Sequence, residues 1–258
     1  MSSRNSIDTT MRQEAMRPCL LKGFFHRFWN TGHAAIARSF IAWLLVVCAV
    51  LGSNSVGQER QQQQPQPALQ AGDINLDFSR VYILVDRTTP LGHAHGVEGR
   101  LRGGNVTIDG SRPGSLVIDM KSFDADTPTG RKVFGLADDI DQKTRKTVNG
   151  NMLGVEVLHV SKYPDARLEN IKLTATGKVS ERKLPEYVME GDFTLHSTTR
   201  KISATCDLEE KNGWSNLRGK FRIRQTDYGI KPYTRALGAV GVKDELLIFG
   251  DLWIAPSQ

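Results

Sequence analysis

From Asp73 onward, apolar and polar side chains alternate in short runs broken by Gly, Pro, Asn and Asp. A period of two puts one face of a strand on a core and the other in water. The clearest case runs from Val188 to Leu208, where alternation, a turn and renewed alternation follow one another. Runs of this kind predict strands at 80–86, 96–102, 105–109, 115–120, 166–176, 186–196, 200–209, 215–225 and 245–254. Gly103-Gly104 and residues 110–114 supply turns in the first half. Residues 141–159 form the one good helix candidate. There Val148, Met152, Val155 and Leu158 follow three- and four-residue steps, Gly150 and Gly154 interrupt them, and Pro164 closes the region. So many strands must hide their sheet edges, and a closed barrel does so. The pattern therefore predicts a mainly β, closed antiparallel barrel with one flanking helix, occupying residues 73–258.

One register of the later strands places four sets on a single face: Ile171, Leu173 and Ala175; Met189, Gly191, Phe193 and Leu195; Ile202, Ala204 and Cys206; Gly219, Phe221 and Ile223. An eight-stranded barrel is just wide enough to be filled by side chains or to hold one small ligand. Ala175, Gly191, Ala204, Cys206 and Gly219 remove filling volume and favour a cavity, with a fully packed barrel as the alternative. Leu173, Ala175, Phe193, Leu195, Ala204, Cys206, Phe221 and Ile223 are thus the candidate ligand-binding residues of the lumen. The long loop 226–243 carries Tyr228, Pro232 and Tyr233, and Tyr228 joins the set as a residue bordering or capping the cavity.

The first quarter of the chain has a different texture. An uncharged apolar run occupies residues 40–51, preceded by Arg27 and Arg38 and followed by Ser55 and Gly57 in a small-x-small arrangement. This order is that of a secretory signal peptide, residues 1–57, with a long basic leading region. The run is short for a spanning helix, which needs about 20 residues; an uncleaved membrane anchor is the alternative. Residues 58–72, with Gln61-Gln62-Gln63-Gln64-Pro65-Gln66-Pro67, read as a linker. The expected location is periplasmic or secreted.

Export changes the charge argument. Six Lys/Arg against Asp8 and Glu14 give the leader +4 of the chain's +6, leaving +2 for the remainder. That balance is poor support for nucleic-acid binding, and none is expected. Cys19 and Cys48 lie in the leader, so a mature form keeps only Cys206 and no intrachain disulfide. Its alternation with Ile202, Ala204 and Leu208 makes Cys206 a small buried hydrophobe.

Catalytic residue types are sparse. On a strand, His93 and His95 would point the same way, as a metal requires, but no third ligand is at hand and they read as surface or turn histidines. Asp192, His196 and Ser197 supply hydrolase residue types without a nucleophile elbow. The glycines of 99–104 precede neither a helix nor Gly-Lys-Ser/Thr, so a phosphate loop is rejected. Arg222 and Arg224 read as the wet face of their strand. Lys143, Arg145 and Lys146 read as the solvated face of the helix, or as partners of an anionic head group at a barrel mouth. No enzyme activity, cofactor or metal is expected.

Four segments in order carry a family resemblance: Tyr163-Pro164-Asp165-Ala166-Arg167-Leu168, Gly191-Asp192-Phe193-Thr194-Leu195-His196-Ser197-Thr198-Thr199-Arg200, Asp227-Tyr228-Gly229-Ile230 and Val242-Lys243-Asp244-Glu245-Leu246. From Leu76 to the C-terminus the chain resembles YceI-like proteins. Ser197 stands where that family's hairpin has glycine, and the helix reads Thr147-Val148-Asn149-Gly150-Asn151-Met152-Leu153 in place of an Arg-Asp-x-His-Leu run. The resemblance implies a lipocalin-like barrel, exported in bacteria, whose tunnel takes a polyisoprenoid or another long-chain lipid such as an isoprenoid quinone or prenyl phosphate. Transport, storage or sequestration, with transient membrane contact, would follow. Two other readings are an enzyme acting on a hydrophobic small molecule in the same cavity, with His93, His95 or His196 as acid or base, and a structural envelope protein with a filled barrel.

Overall fold

Alternation of side chains becomes a wall of eight long strands in the computed structural model, which describes residues 68–136 and 140–256. They are β1 (Arg80–Arg87), β2 (His95–Asn105), β3 (Gly114–Ala125), β4 (Asp165–Val179), β5 (Pro185–Leu195), β6 (Thr198–Lys211) and β7 (Trp214–Arg224), with the two-residue β8 (Thr234–Arg235) before the last, β9 (Val240–Ile254). Strands β1 to β7 pair antiparallel in succession, β7 pairs with β9 and β9 with β1, so the sheet closes on itself, while β8 only pairs with the start of β9. The lipocalin-like barrel is thus present, with no free edge among its eight wall strands. The leader and most of the linker lie outside the described residues.

Two local departures aim the inner face. Asn170 takes φ +55 and the β4–β5 register shifts between Glu169 and Lys172. This bulge moves the inward parity from Leu168 to Ile171 and Leu173, all buried. On β3, residues 120–123 bulge out of the ladder with β2, and the Phe123 ring lies where a Cβ on Gly99 would have to go. Gly99 therefore serves packing. The expected strand at 105–109 is absent: the ladder ends at Asn105, and the Val106 N–H donates to the Gly72 carbonyl (2.8 Å) instead. Asp73 pairs with Asn105 and Ile74 with Ile254 of β9, and the buried Ile74, Val106, Leu217 and Ile254 plug this end of the barrel.

The opposite end carries the helices. Thr127 caps α1 (Pro128–Val133), accepting from the Gly130 N–H at 2.9 Å. Asp141 caps α2 (Gln142–Leu153), accepting from the Lys143 and Thr144 N–H groups. The sequence pattern extends the helix to residue 159, but Gly154 ends it in an extended conformation and Val155 is exposed. Arg145 is not on the solvated face: its Nε donates to the Ala125 carbonyl (2.9 Å) and its guanidinium pairs with Asp124. Asn149, one turn on, donates to Asp124 (2.8 Å) and accepts from the Ala125 N–H (2.8 Å). These two side chains fix α2 against the end of β3. No helix of the described residues is long and apolar enough to cross a membrane.

Candidate functional site

A cavity of about 270 Å³ lies inside the capped end. Its wall is built from the strand ends that meet there: Ile83 and Val85 of β1, Val97 of β2, Met120 and Phe123 of β3, Ala166 of β4, Phe193 and Leu195 of β5, Ile223 of β7, and Leu246 and Ile248 of β9. Val148 and Met152 of α2, with Val157 and Leu158 beyond it, form the lid. Exposed Leu91, His93 and Val240 stand at the rim. Around this apolar space the polar lining is confined to a few groups, chiefly His95, Asn151, Gln225 and Tyr233.

Two of these are pinned across elements: Asn151 donates to the Tyr233 hydroxyl (3.0 Å), and Gln225 donates to the Lys243 carbonyl (2.8 Å). His95 is the best organised. Its Nδ1 lies 2.7 Å from Asp126 Oδ2, and Arg131 donates to Oδ1 of the same carboxylate at 2.8 Å. The Asp126 side chain is wholly shielded from solvent. Burial pushes its carboxyl up, but the hydrogen bonds and charges of His95 and Arg131 outweigh this and hold it below the ordinary 3.8. Local structure bends to place it: Asp126 sits at φ +59, and its N–H donates to the Gly96 carbonyl at 2.8 Å. Gly96 meets α1 so closely that a Cβ there would stand 2.5 Å from the Gly130 carbonyl. With Nδ1 committed to the carboxylate, the His95 Nε2 has no partner among the described residues.

The candidate residues fall into three places. Phe193, Leu195 and Ile223 line the cavity. Cys206 and Phe221 border a separate void of about 40 Å³ deeper in the barrel. Leu173 and Ala204 are buried in the core but border neither, and Tyr228 backs the wall by packing on Phe193, ring centroids 5.7 Å apart. Ala175 is exposed, beyond the part of β4 that faces inward. The small residues do not make the cavity. A Cβ on Gly219 would collide with Cys206 Sγ, and one on Gly191 would stand 2.9 Å from Leu168 Cδ1. Their missing volume is already taken by neighbours. Burial pushes the Cys206 thiol up to about 12, so it is inert near neutral pH.

Among the histidines, His93 is exposed at the rim, and His196 lies against Tyr163 (centroids 3.9 Å), with burial lowering its pKa. No cluster of three metal-ligating side chains occurs among the described residues. Residues that the lumen register omitted, from β1, β2, β3, α2 and β9, supply most of the lining. Their signal was the inward alternation of Val81, Ile83 and Val85, which is as regular as that of β5.

The fold and this site define an antiparallel barrel with an apolar pocket under a helical lid. The YceI-like domain matches residues 74–251, and the chain belongs to that family. No curated protein matches it. A polyisoprenoid binding domain from Saccharophagus degradans, implicated in plant cell wall breakdown, is similar in structure with a TM-score of 0.50 at 13% identity, covering 72% of this chain and 100% of that one. Burkholderia cenocepacia BcnA gives 0.49 at 17% identity, over 71% and 100% of the two chains. The Campylobacter jejuni YCEI protein gives 0.40 at 12%, over 62% and 85%. At these identities the likeness is one of fold.

Proposed function

We propose that this protein is an exported, non-enzymatic lipid-binding protein that holds the chain of a polyisoprenoid or similar amphiphile for transport, storage or sequestration. The observation that carries the reading is the apolar cavity of about 270 Å³ under α2. Family membership and the polyisoprenoid-binding domain of like fold support it. Each buried methylene contributes roughly 0.8 kcal/mol, so a chain of ten offsets an association cost of several kcal/mol without any charged centre. The test is organic extraction of protein purified from the cell envelope, followed by mass spectrometry. A co-purifying prenyl or other long-chain species is expected, whereas empty extracts from folded protein that also takes up no added lipid defeat the reading. Export is checked on the same sample by its N-terminal sequence, expected to begin near residue 58.

One observation favours a second reading. A buried carboxylate that orients an imidazole beside an apolar pocket is also the arrangement of a general base. Turnover of a hydrophobic ester or alcohol that disappears in His95→Ala would replace binding by catalysis.

A further inference from the structure

The lumen is divided. The cavity of about 270 Å³ and the deeper void of about 40 Å³ have three bordering side chains in common, Val81, Ile118 and Ile248. These form a partition across the barrel. Phe221, paired with Ile248 across β7 and β9, meets Phe193 of β5 edge-to-face, ring centroids 5.6 Å apart, and narrows the same level. Above it, Val85 and His95 pair across β1 and β2 toward the rim, four residues from Val81. At about 3.3 Å per residue and a strand tilt of about 40°, that makes the pocket about 10 Å deep. Volume gives a similar size. A dry cavity of about 150 Å³ accommodates the six carbons of benzene, so by proportion this one takes about eleven heavy atoms. A whole polyisoprenoid does not fit within such a space.

We propose that the pocket is a length-limited site: it takes the terminal ten to twelve heavy atoms of one alkyl or prenyl chain, and the partition of Val81, Ile118 and Ile248 bars that chain from the rest of the lumen. The proposal rests on the lipid-binding reading and narrows it. Shorter single-chain amphiphiles are enclosed entirely. Longer ones leave their remainder outside the rim between Leu91 and Val240, where further carbons add nothing.

The test is binding of alkyl carboxylates from C8 to C18, with geraniol, farnesol and geranylgeraniol in parallel, by displacement of an environment-sensitive fluorophore. Affinity should rise about fourfold per methylene up to about eleven carbons and then stay level. Ile118→Ala combined with Ile248→Ala joins the two voids and should move the break outward by about six carbons, the number removed from the side chains. Ala166→Leu adds volume above the partition and should move it inward by about three. It serves as the second variant should the first not fold. Affinity that climbs steadily to C18, or a break that stays fixed in a folded variant, overturns the length limit while leaving lipid binding intact. No binding at any length overturns both.

Discussion

The two ends of the barrel are held together by different means. At the closed end, side chains interdigitate: Leu168 fills the space at Gly191, Cys206 fills that at Gly219, and Ile74, Val106, Leu217 and Ile254 seal the bottom. At the hollow end, packing cannot do this, because the middle is empty. There the elements are tied by polar contacts at the perimeter: His95 and Arg131 to Asp126, Arg145 and Asn149 to Asp124, Thr127 to Glu98, and Asn151 to Tyr233. A cavity removes dispersion contacts from everything that lines it, and directional bonds around its rim restore a unique arrangement. The hollow end is also the one that holds a fully shielded carboxylate, Asp126, paired with the nearly buried Arg131.

The largest consequence falls on Asp126. Its replacement by Ala strands the nearly buried Arg131 guanidinium and frees His95. A loss of about 3–5 kcal/mol is expected, read by urea denaturation at neutral pH. The pH dependence has a definite sign. A carboxyl held below 3.8 when folded contributes stability that is complete above the unfolded value and is lost as pH falls through the folded one. The native protein should therefore lose stability steeply below about pH 4, and the Asp126→Ala protein less steeply. Equal acid slopes in the two would break the assignment of the hollow end to this charge cluster.

The sequence made the wall legible but not the void. Inner positions of β5, β6 and β7 were readable because each strand alternates without interruption, and Met189, Phe193, Ala204, Cys206 and Ile223 all turn inward. Reading failed where geometry departs from strict alternation. Bulges on β3 and β4 shift the parity, and Ala175 continues a correct face past the point where β4 still covers the core. Phe193, Leu195 and Ile223 do line the cavity, but the small residues do not open it, for a different reason. A small residue opens space only if no partner across the sheet fills it, and the Cys206–Gly219 pairing is a relation between strands that composition does not carry. Asp126 was hidden likewise, since its partner His95 lies 31 residues away.

A matched pair of truncations sharpens the contrast at intermediate size. Leu217 is 1% exposed at the closed end, whereas Leu246 lines the cavity. Leu217 borders only the small void of about 40 Å³ and is closely packed on its other sides, so Leu217→Ala gives up most of its contacts and should cost about 3 kcal/mol, within the usual range for buried leucines. Leu246→Ala enlarges a space that already exists and gives up fewer contacts, so about 1 kcal/mol is expected. Chemical denaturation of both variants, without added lipid, measures the difference directly. Equal losses would mean that the hollow end is packed as firmly as the other.

The smallest effect tests how tightly the closed end is filled. Gly219 lies opposite Cys206 in the β6–β7 ladder, and a single methyl group at 219 runs into the sulfur. Gly219→Ala should therefore destabilise by about 1–2 kcal/mol, as overpacking does, although alanine ordinarily suits a strand better than glycine. Cys206→Ala removes the obstructing atom and opens a small void of its own. If the collision is the whole cause, the double variant recovers most of the loss that Gly219→Ala brings, leaving a favourable coupling of about 1 kcal/mol. The thiol supplies an independent reading, since its burial, which pushes it up to about 12, keeps it from alkylation in the native protein. In Gly219→Ala the displaced sulfur should react faster with iodoacetamide at neutral pH, while Leu246→Ala leaves its rate unchanged. Faster labelling in Leu246→Ala as well would mean that the partition does not insulate one end from the other.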